Sequence, residues 1–314
     1  MDFVALTHEN IAQFKSSFAD LYTLCFNVPM DGSEVDWRYA SNPMNDIFSW
    51  IAVENGQVVA NYSVSPIEVM HKGKPVKCAL SLNTMTHPDF SGRGLFIQLA
   101  NMVYKDLKDK GYAFVMGFPN NISNRTFVNK LGWRDILVMP TMKIDIDKAR
   151  VKPSGLEDSV ISDDSFKLSY TSEEAEYIHV NKSGEYLKWR ISDNPTNQYS
   201  NFVIADDDGK KAGSYIVVKE FRNLINIVDC RFRNESEMRA LMNRAIAFAN
   251  EKQKESITFW LKLGCWEHLV AEGMGAVLTS PVTYFGLCPF KEDLSEDFFN
   301  AEMWYLNMCD DNVY

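Results

Sequence analysis

Apolar positions along this chain follow two different periods, and the change from one to the other occurs twice in the same order. The segment "VDWRYASNPMNDIFSWIAVENGQVVANYSV", from Val35, holds two strand-like runs around the polar turn Glu54-Asn55-Gly56. The segment "YLKWRISDNPTNQYSNFVIADDDGKKAGSYIVV", from Tyr186, repeats that arrangement around a turn at 206–209. Each predicts a β-hairpin, because a polar, glycine-bearing break between strand-like runs closes readily as a reverse turn. Residues 76–87 and 223–233 follow as further apolar strands. The period then lengthens. Leu95, Leu99, Met102, Val103 and Leu107 share one face of a helix over 95–110. Met238, Leu241, Met242, Ala245, Ile246 and Ala249 do the same over 236–253. The short strands "YAFVMGF" and "SITFWLK" come next, each followed by a helix ending near glycine, in "FVNKLGW" and "LVAEGMG".

This order predicts an α/β chain, in the α+β sense, built from two mixed-sheet units in tandem. Their predicted extents are 1–147 and 166–314, joined by the polar linker "KARVKPSGLEDSVISDDS" at 148–165. Both units contain W-R-x-x-x-N-P, as Trp37-Arg38 with Asn42-Pro43 and Trp189-Arg190 with Asn194-Pro195. Recurrence in both halves predicts a shared structural role, with a buried indole, an arginine satisfying loop carbonyls, and a proline after a helix end.

Composition narrows the function. The chain has 314 residues, 46% hydrophobic, with 42 acidic and 32 basic side chains for a net charge of −10. That balance argues against a nucleic-acid partner, which needs a basic face. No basic, apolar leader opens the sequence, and no run approaches ~18 apolar residues, so no membrane association is expected. The six cysteines (Cys25, Cys78, Cys230, Cys265, Cys288, Cys309) show no metal spacing. Reduced thiols in a cytoplasmic protein, with no metal site, are the expectation.

One local feature points to chemistry. The strand "KCALSLNTMTH" runs into Pro88-Asp89-Phe90, then Ser91-Gly92-Arg93-Gly94, and a helix starts at once. Glycine is costly to order, so two in three positions call for a reason. A strand–Gly-x-Gly–helix junction exposes unpaired helical N–H groups and the positive end of the helix dipole, a setting that suits a phosphate. A third glycine at dinucleotide-fold spacing is missing, and so is the Gly-Lys-Ser/Thr of a P-loop.

The succession "TMTHP", glycine turn, helix, apolar strand, "GFPNNISNRTFVNKLGWRD" resembles the GNAT family of acyl-CoA-dependent N-acetyltransferases. The resemblance is good over 35–146 and faint over 186–290. It implies acetyl-CoA as cofactor, with its pyrophosphate on Ser91, Gly92, Arg93, Gly94, Leu95 and Phe96, and its pantetheine arm along Thr84, Met85 and Thr86. The family pattern Q/R-x-x-G-x-G/A is met with departures at Ser91 and Phe96. The activity implied is transfer of acetyl to a primary amine of a small molecule, an amino sugar being favoured by analogy with similar two-domain chains. Two other readings stay open: a non-catalytic acyl-CoA-binding or scaffold protein, and a tandem-GNAT aminoacyl-tRNA-dependent transferase.

Catalytic groups are less plain. The resemblance asks for a tyrosine near 127–128, where the chain has Phe127 and Val128, and for a glutamate on the strand before the glycine turn, where it has Leu80, Leu82 and Thr84. His87, just before the turn, is the candidate base, or a solvated strand-end histidine. Asn120 and Ser123 are candidates to polarise the thioester or bind pantetheine, or to cap a helix. The aromatic tail "MWYLNMCDDNVY" predicts an end packed on the body, with Asp310 and Asp311 candidates to reach a cleft. The second unit has "RNESEMRA" where the first has its glycine turn, which predicts a degenerate copy without a cofactor site.

Overall fold

The computed structural model describes residues 1–167 and 176–313; the part of the second predicted unit at 168–175 lies outside the described residues. In chain order the first half holds β1 (Asp2–Ala5), α1 (Ile11–Phe26), α2 (Gly32–Val35), β2 (Phe48–Glu54), β3 (Gln57–His71), β4 (Lys74–Ser81), β5 (Met85–Thr86), α3 (Leu95–Asp109), β6 (Phe114–Gly117), α4 (Asn121–Leu131) and β7 (Arg134–Asp145). The second half holds β8 (Ile161–Ser162), β9 (His179–Val180), α5 (Gly184–Leu187), β10 (Tyr199–Ala205), β11 (Ala212–Phe221), β12 (Leu224–Arg231), α6 (Glu235–Glu251), β13 (Ser256–Trp260), α7 (Trp266–Gly273) and β14 (Val277–Pro289). From α2 to β7 and from α5 to β14 the two halves follow the same plan. Both W-R motifs even form the same five-residue π-turns, Asp36–Ala40 and Lys188–Ser192.

All these strands join one sheet, in the order β1-β2-β3-β4-β6-β14-β7-β13-β12-β11-β10-β8, with β5 and β9 on β3. The last strand of each half crosses over. β14 lies antiparallel to β6, with Gly286 opposite Gly117, while β7 pairs with β13, with Ser256 opposite Asp145. Where β14 and β7 meet, a Cβ at Gly286 would sit 2.7 Å from the Arg134 carbonyl oxygen, so glycine is required by close approach. The stretch 148–165 is more than a tether: Arg150 N–H bonds the Met274 carbonyl, and β8 adds an edge strand to β10.

Apolar side chains divide into three cores. One lies under α3 and α4 (Leu95, Leu99, Val103, Leu107, Trp133). A second lies under α6 and α7 (Met238, Leu241, Ala245, Ile246, Val270). The third covers the opposite face across both halves and takes in Trp37, Trp189, Trp304, Met308 and Cys309. The tail therefore packs on the body, as its composition predicts. Arg38 donates to the Asn312 carbonyl at 3.1 Å, and Arg190 to the Cys309 and Asp311 carbonyls at 3.3 and 2.7 Å. The repeated arginines satisfy loop carbonyls, and the loop is the C-terminal tail.

Candidate functional site

The glycine turn, the candidate anion site, lies directly before α3. Gly92 and Gly94 have φ of 76° and 75°, left-handed values that side chains adopt only with strain. Gly94 is the N-cap of α3 and, having no side chain, leaves the first N–H groups of the helix uncapped. A Cβ at Gly92 would meet nothing within 4 Å, so the space above the turn is open. Arg93 lies over the Phe90 ring at 4.6 Å and donates to the Asp89 carbonyl, which holds its charge at the rim. Phe96 points inward against Tyr62 and Phe127, with centroids 5.6 and 5.2 Å apart, and leaves the turn clear.

The matching junction in the second half is closed from within. Asn234 caps α6 by accepting from the Glu237 N–H. The Glu237 carboxylate is buried and bonded by Ser214, by Asn234 and by Arg233 at 2.9 and 2.8 Å. The chain's own carboxylate and cap occupy this helix start, so an external phosphate would meet like charge.

A bulge and a splay shape the rest of the first-half site. Ser81 pairs with Val64, but Met85 pairs with Asn61, so one extra residue is inserted between β4 and β5. β4 runs parallel to β6 only at Ala79–Val115 and Leu80–Met116, after which the two strands diverge. On the face away from α3, next to the bulge, polar groups cluster that the sequence did not flag. The Tyr39 hydroxyl faces Asn83 and Arg38 without a partner at full hydrogen-bond geometry, and Asn83 Nδ2 is likewise buried and unpartnered. Burial holds the Tyr39 phenol above its usual pKa, so it carries its proton at neutral pH, as an exposed phenol also does. Glu34 pairs with Arg38 at 2.7 Å beside it. From the tail, Asn312 donates to Asn83 Oδ1 at 3.0 Å. A cavity of about 20 Å3 remains here, between Trp37, Arg38, Leu80, Leu82, Arg190 and Asn312.

Comparison with known proteins bears on this geometry. Residues 11–136 match the family model of the acetyltransferase (GNAT) domain. Residues 11–136 are a GNAT domain. Its neighbours among solved structures share the fold along nearly the whole chain. A GCN5-related N-acetyltransferase from Anabaena variabilis ATCC 29413 superposes with a TM-score of 0.65 at 15% identity, over 92% of this chain and 73% of that one. A probable N-acyltransferase from Enterococcus faecalis V583 gives 0.64 at 14%, over 91% and 72%. A tandem GNAT protein from the clavulanic acid biosynthesis pathway gives 0.57 at 12%, over 93% and 99%. No curated protein sequence matches the chain.

Within the GNAT domain the candidate residues fall into separate groups. Thr84, Met85 and Thr86 form the bulged strand end, with Met85 buried; Ser91 to Gly94 form the turn, and Leu95 and Phe96 begin α3. His87 Nδ1 accepts from the Asp89 N–H at 3.2 Å and caps the short helical turn Pro88–Phe90. Asn120 accepts from the Ile122 and Ser123 N–H groups at 3.0 and 2.9 Å, and Ser123 Oγ bonds back to Asn120 Oδ1 at 3.1 Å. All three hold turns or helix starts. Phe127 is buried against Tyr62, Phe96 and Trp133, so α4 presents no phenol. Among the described residues no group of His, Cys, Asp and Glu could hold a metal, and no helix is long and apolar enough to cross a membrane.

Proposed function

We propose that the protein is an acetyl-CoA-dependent N-acyltransferase acting on the primary amine of a small molecule, amino sugars included. The observation that carries this reading is the contrast between the two helix starts: α3 is uncapped, glycine-lined and open, and α6 is filled by Glu237. The residues fit one acyl-CoA. The free N–H groups at the start of α3 suit its diphosphate, Arg93 adds charge at the rim, and the bulged end from Thr84 to Thr86 suits its amide-bearing arm. When bound, acetyl-CoA supplies an activated thioester.

The chain's own contribution is orientation and a proton. Holding amine and acyl donor in register is worth up to ~7–11 kcal/mol of barrier. Tyr39, protonated at neutral pH and directed at the bulge, takes the donor role that the sequence pattern seeks on α4. His87, Asn120 and Ser123 position the turn and the head of α4.

Thiol release from acetyl-CoA, followed with a panel of primary amines, tests the proposal. Amine-dependent release that is lost in Gly94→Glu supports it. An acyl-CoA-binding protein without turnover is the second reading. It draws on the cavity of about 20 Å3 on the acceptor face, room for little more than a water. Binding of acetyl-CoA with no release across the panel favours that reading.

A further inference from the structure

A cavity of about 730 Å3 lies where β12 and β13 diverge, bordered on one side by Leu137 and Met139 of β7. The two strands pair in parallel only over Leu224–Ser256 to Asn226–Thr258, and beyond that their facing edges separate. The tail forms one wall: Tyr305 Oη and Asn307 Nδ2 both donate to the Cys230 carbonyl, at 3.0 and 3.2 Å. The adjoining start of α6 offers no open helix end to a phosphate, because Asn234 caps it and the buried Glu237 side chain fills it.

The walls of the cavity suit a cation. Tyr177, Phe232, Trp260, Trp266, Trp304 and Tyr305 line it, six aromatic side chains around one space. Two of its cations are neutralised, Arg233 by Glu237 and Lys262 by Glu302 at 2.7 Å, and Arg231 is engaged as well. Glu176 and Glu267 also line it, and neither forms an ion pair among the described residues. Glu267 is buried in the first turn of α7, beside the Cys265 thiol, which burial and this carboxylate push up to about 12. The chain already places an ammonium group here: Lys262 Nζ lies over the Tyr177 ring at 5.8 Å. Aromatic faces and a carboxylate without a counter-ion form a receptor for organic cations.

We infer that this cavity is a second ligand site, distinct from the acyl-CoA cradle, that takes a small organic cation held by Trp266 and its aromatic neighbours against Glu267. The site needs no catalysis, so binding alone tests it. Tryptophan fluorescence of the full chain reads it directly, since Trp260, Trp266 and Trp304 line the space. Choline and spermidine are the probes, with 3,3-dimethylbutan-1-ol as the neutral isostere of choline. The expected result is a saturable change with at least one cation, none with the alcohol, and no displacement by saturating acetyl-CoA. Glu267→Gln and the partly exposed Trp266→Ala should each weaken binding at least tenfold, with an unchanged circular dichroism spectrum. Equal response to the alcohol, full affinity in both variants, or no saturable response to either cation would overturn the inference. Because the readout is independent of thiol release, its failure leaves the acyltransferase proposal standing, and the reverse holds too.

Discussion

Trp37 and Trp189 hold each other across the centre of the molecule. The indole N–H of Trp37 donates to the Trp189 carbonyl at 2.6 Å, and that of Trp189 returns the bond to the Trp37 carbonyl at 2.9 Å. Their rings stack with centroids 5.7 Å apart and planes 29° from parallel. Each W-R motif stands just before the first hairpin of its own half, so the pair is the repeat meeting itself. Trp37→Phe and Trp189→Phe should each cost about 1–3 kcal/mol, since each leaves a buried carbonyl unsatisfied. Urea unfolding of the singles and the double mutant should show a coupling of about 0.5–3 kcal/mol. Strict additivity would mean that the two bonds act independently.

Gly94→Glu should abolish acetyl-CoA binding in a folded protein, because the new carboxylate enters the open space over the α3 N–H groups. Calorimetry on the unaltered full chain should give one site per chain. Gly94→Ala is a graded control: at φ of 75° a Cβ costs roughly 1–2 kcal/mol of strain, yet adds no charge. Normal binding by Gly94→Glu would move the anion site elsewhere.

Tyr39→Phe should lower kcat by roughly 10- to 100-fold with little change in the KM for acetyl-CoA, the signature of a lost proton donor. His87→Ala and Ser123→Ala should cost no more than about tenfold in kcat/KM. Asn120→Ala should destabilise α4 by about 1 kcal/mol through loss of its cap. A loss of ~1,000-fold in His87→Ala alone would make His87 the base and displace Tyr39 from the leading role.

The tail should loosen as pH rises. Burial pushes the Asp311 carboxyl up to about 7, against the pull of Arg190 and of the Asn312 and Val313 N–H groups and with a further push from Asp310. A carboxyl whose folded pKa exceeds its unfolded value of about 3.9 binds more protons folded than unfolded in between, so its contribution to stability falls as pH climbs from about 4 to 7. Proteolysis of the tail should be faster at pH 8 than at pH 6, and Asp311→Asn should flatten that difference. Equal rates in the unaltered chain at both pH values would contradict it.

Local patterns made much of this fold readable. The helix expected over 95–110 is Leu95–Asp109, and the one expected over 236–253 is Glu235–Glu251, because each carries a clean apolar face. The glycine turn was legible because two left-handed positions leave glycine as the cheap choice. The exchange of β7 and β14 was not. Both are strands of ordinary composition, and nothing local in Arg134–Asp145 tells which neighbour it will take. Tyr39 escaped notice for a related reason: it is the fold that buries it and turns it toward Asn83, more than forty positions away. The caps were ambiguous in sequence because Asn and Ser at a helix start serve equally as cap or ligand.

The crossing of β14 into the first half also sets the order in which the chain can be made. β6 is complete at Gly117, but the strand that covers its free edge begins at Val277, roughly 160 residues later. At a synthesis rate of ~5–20 residues per second, that edge waits on the order of 10–30 s. During this interval the nascent first half presents Phe114–Gly117, wholly buried in the finished protein, as a strand paired with β4 on one edge and open on the other. A ribosome-bound chain stopped before residue 277 should therefore need a holdase, and one released past residue 290 should not.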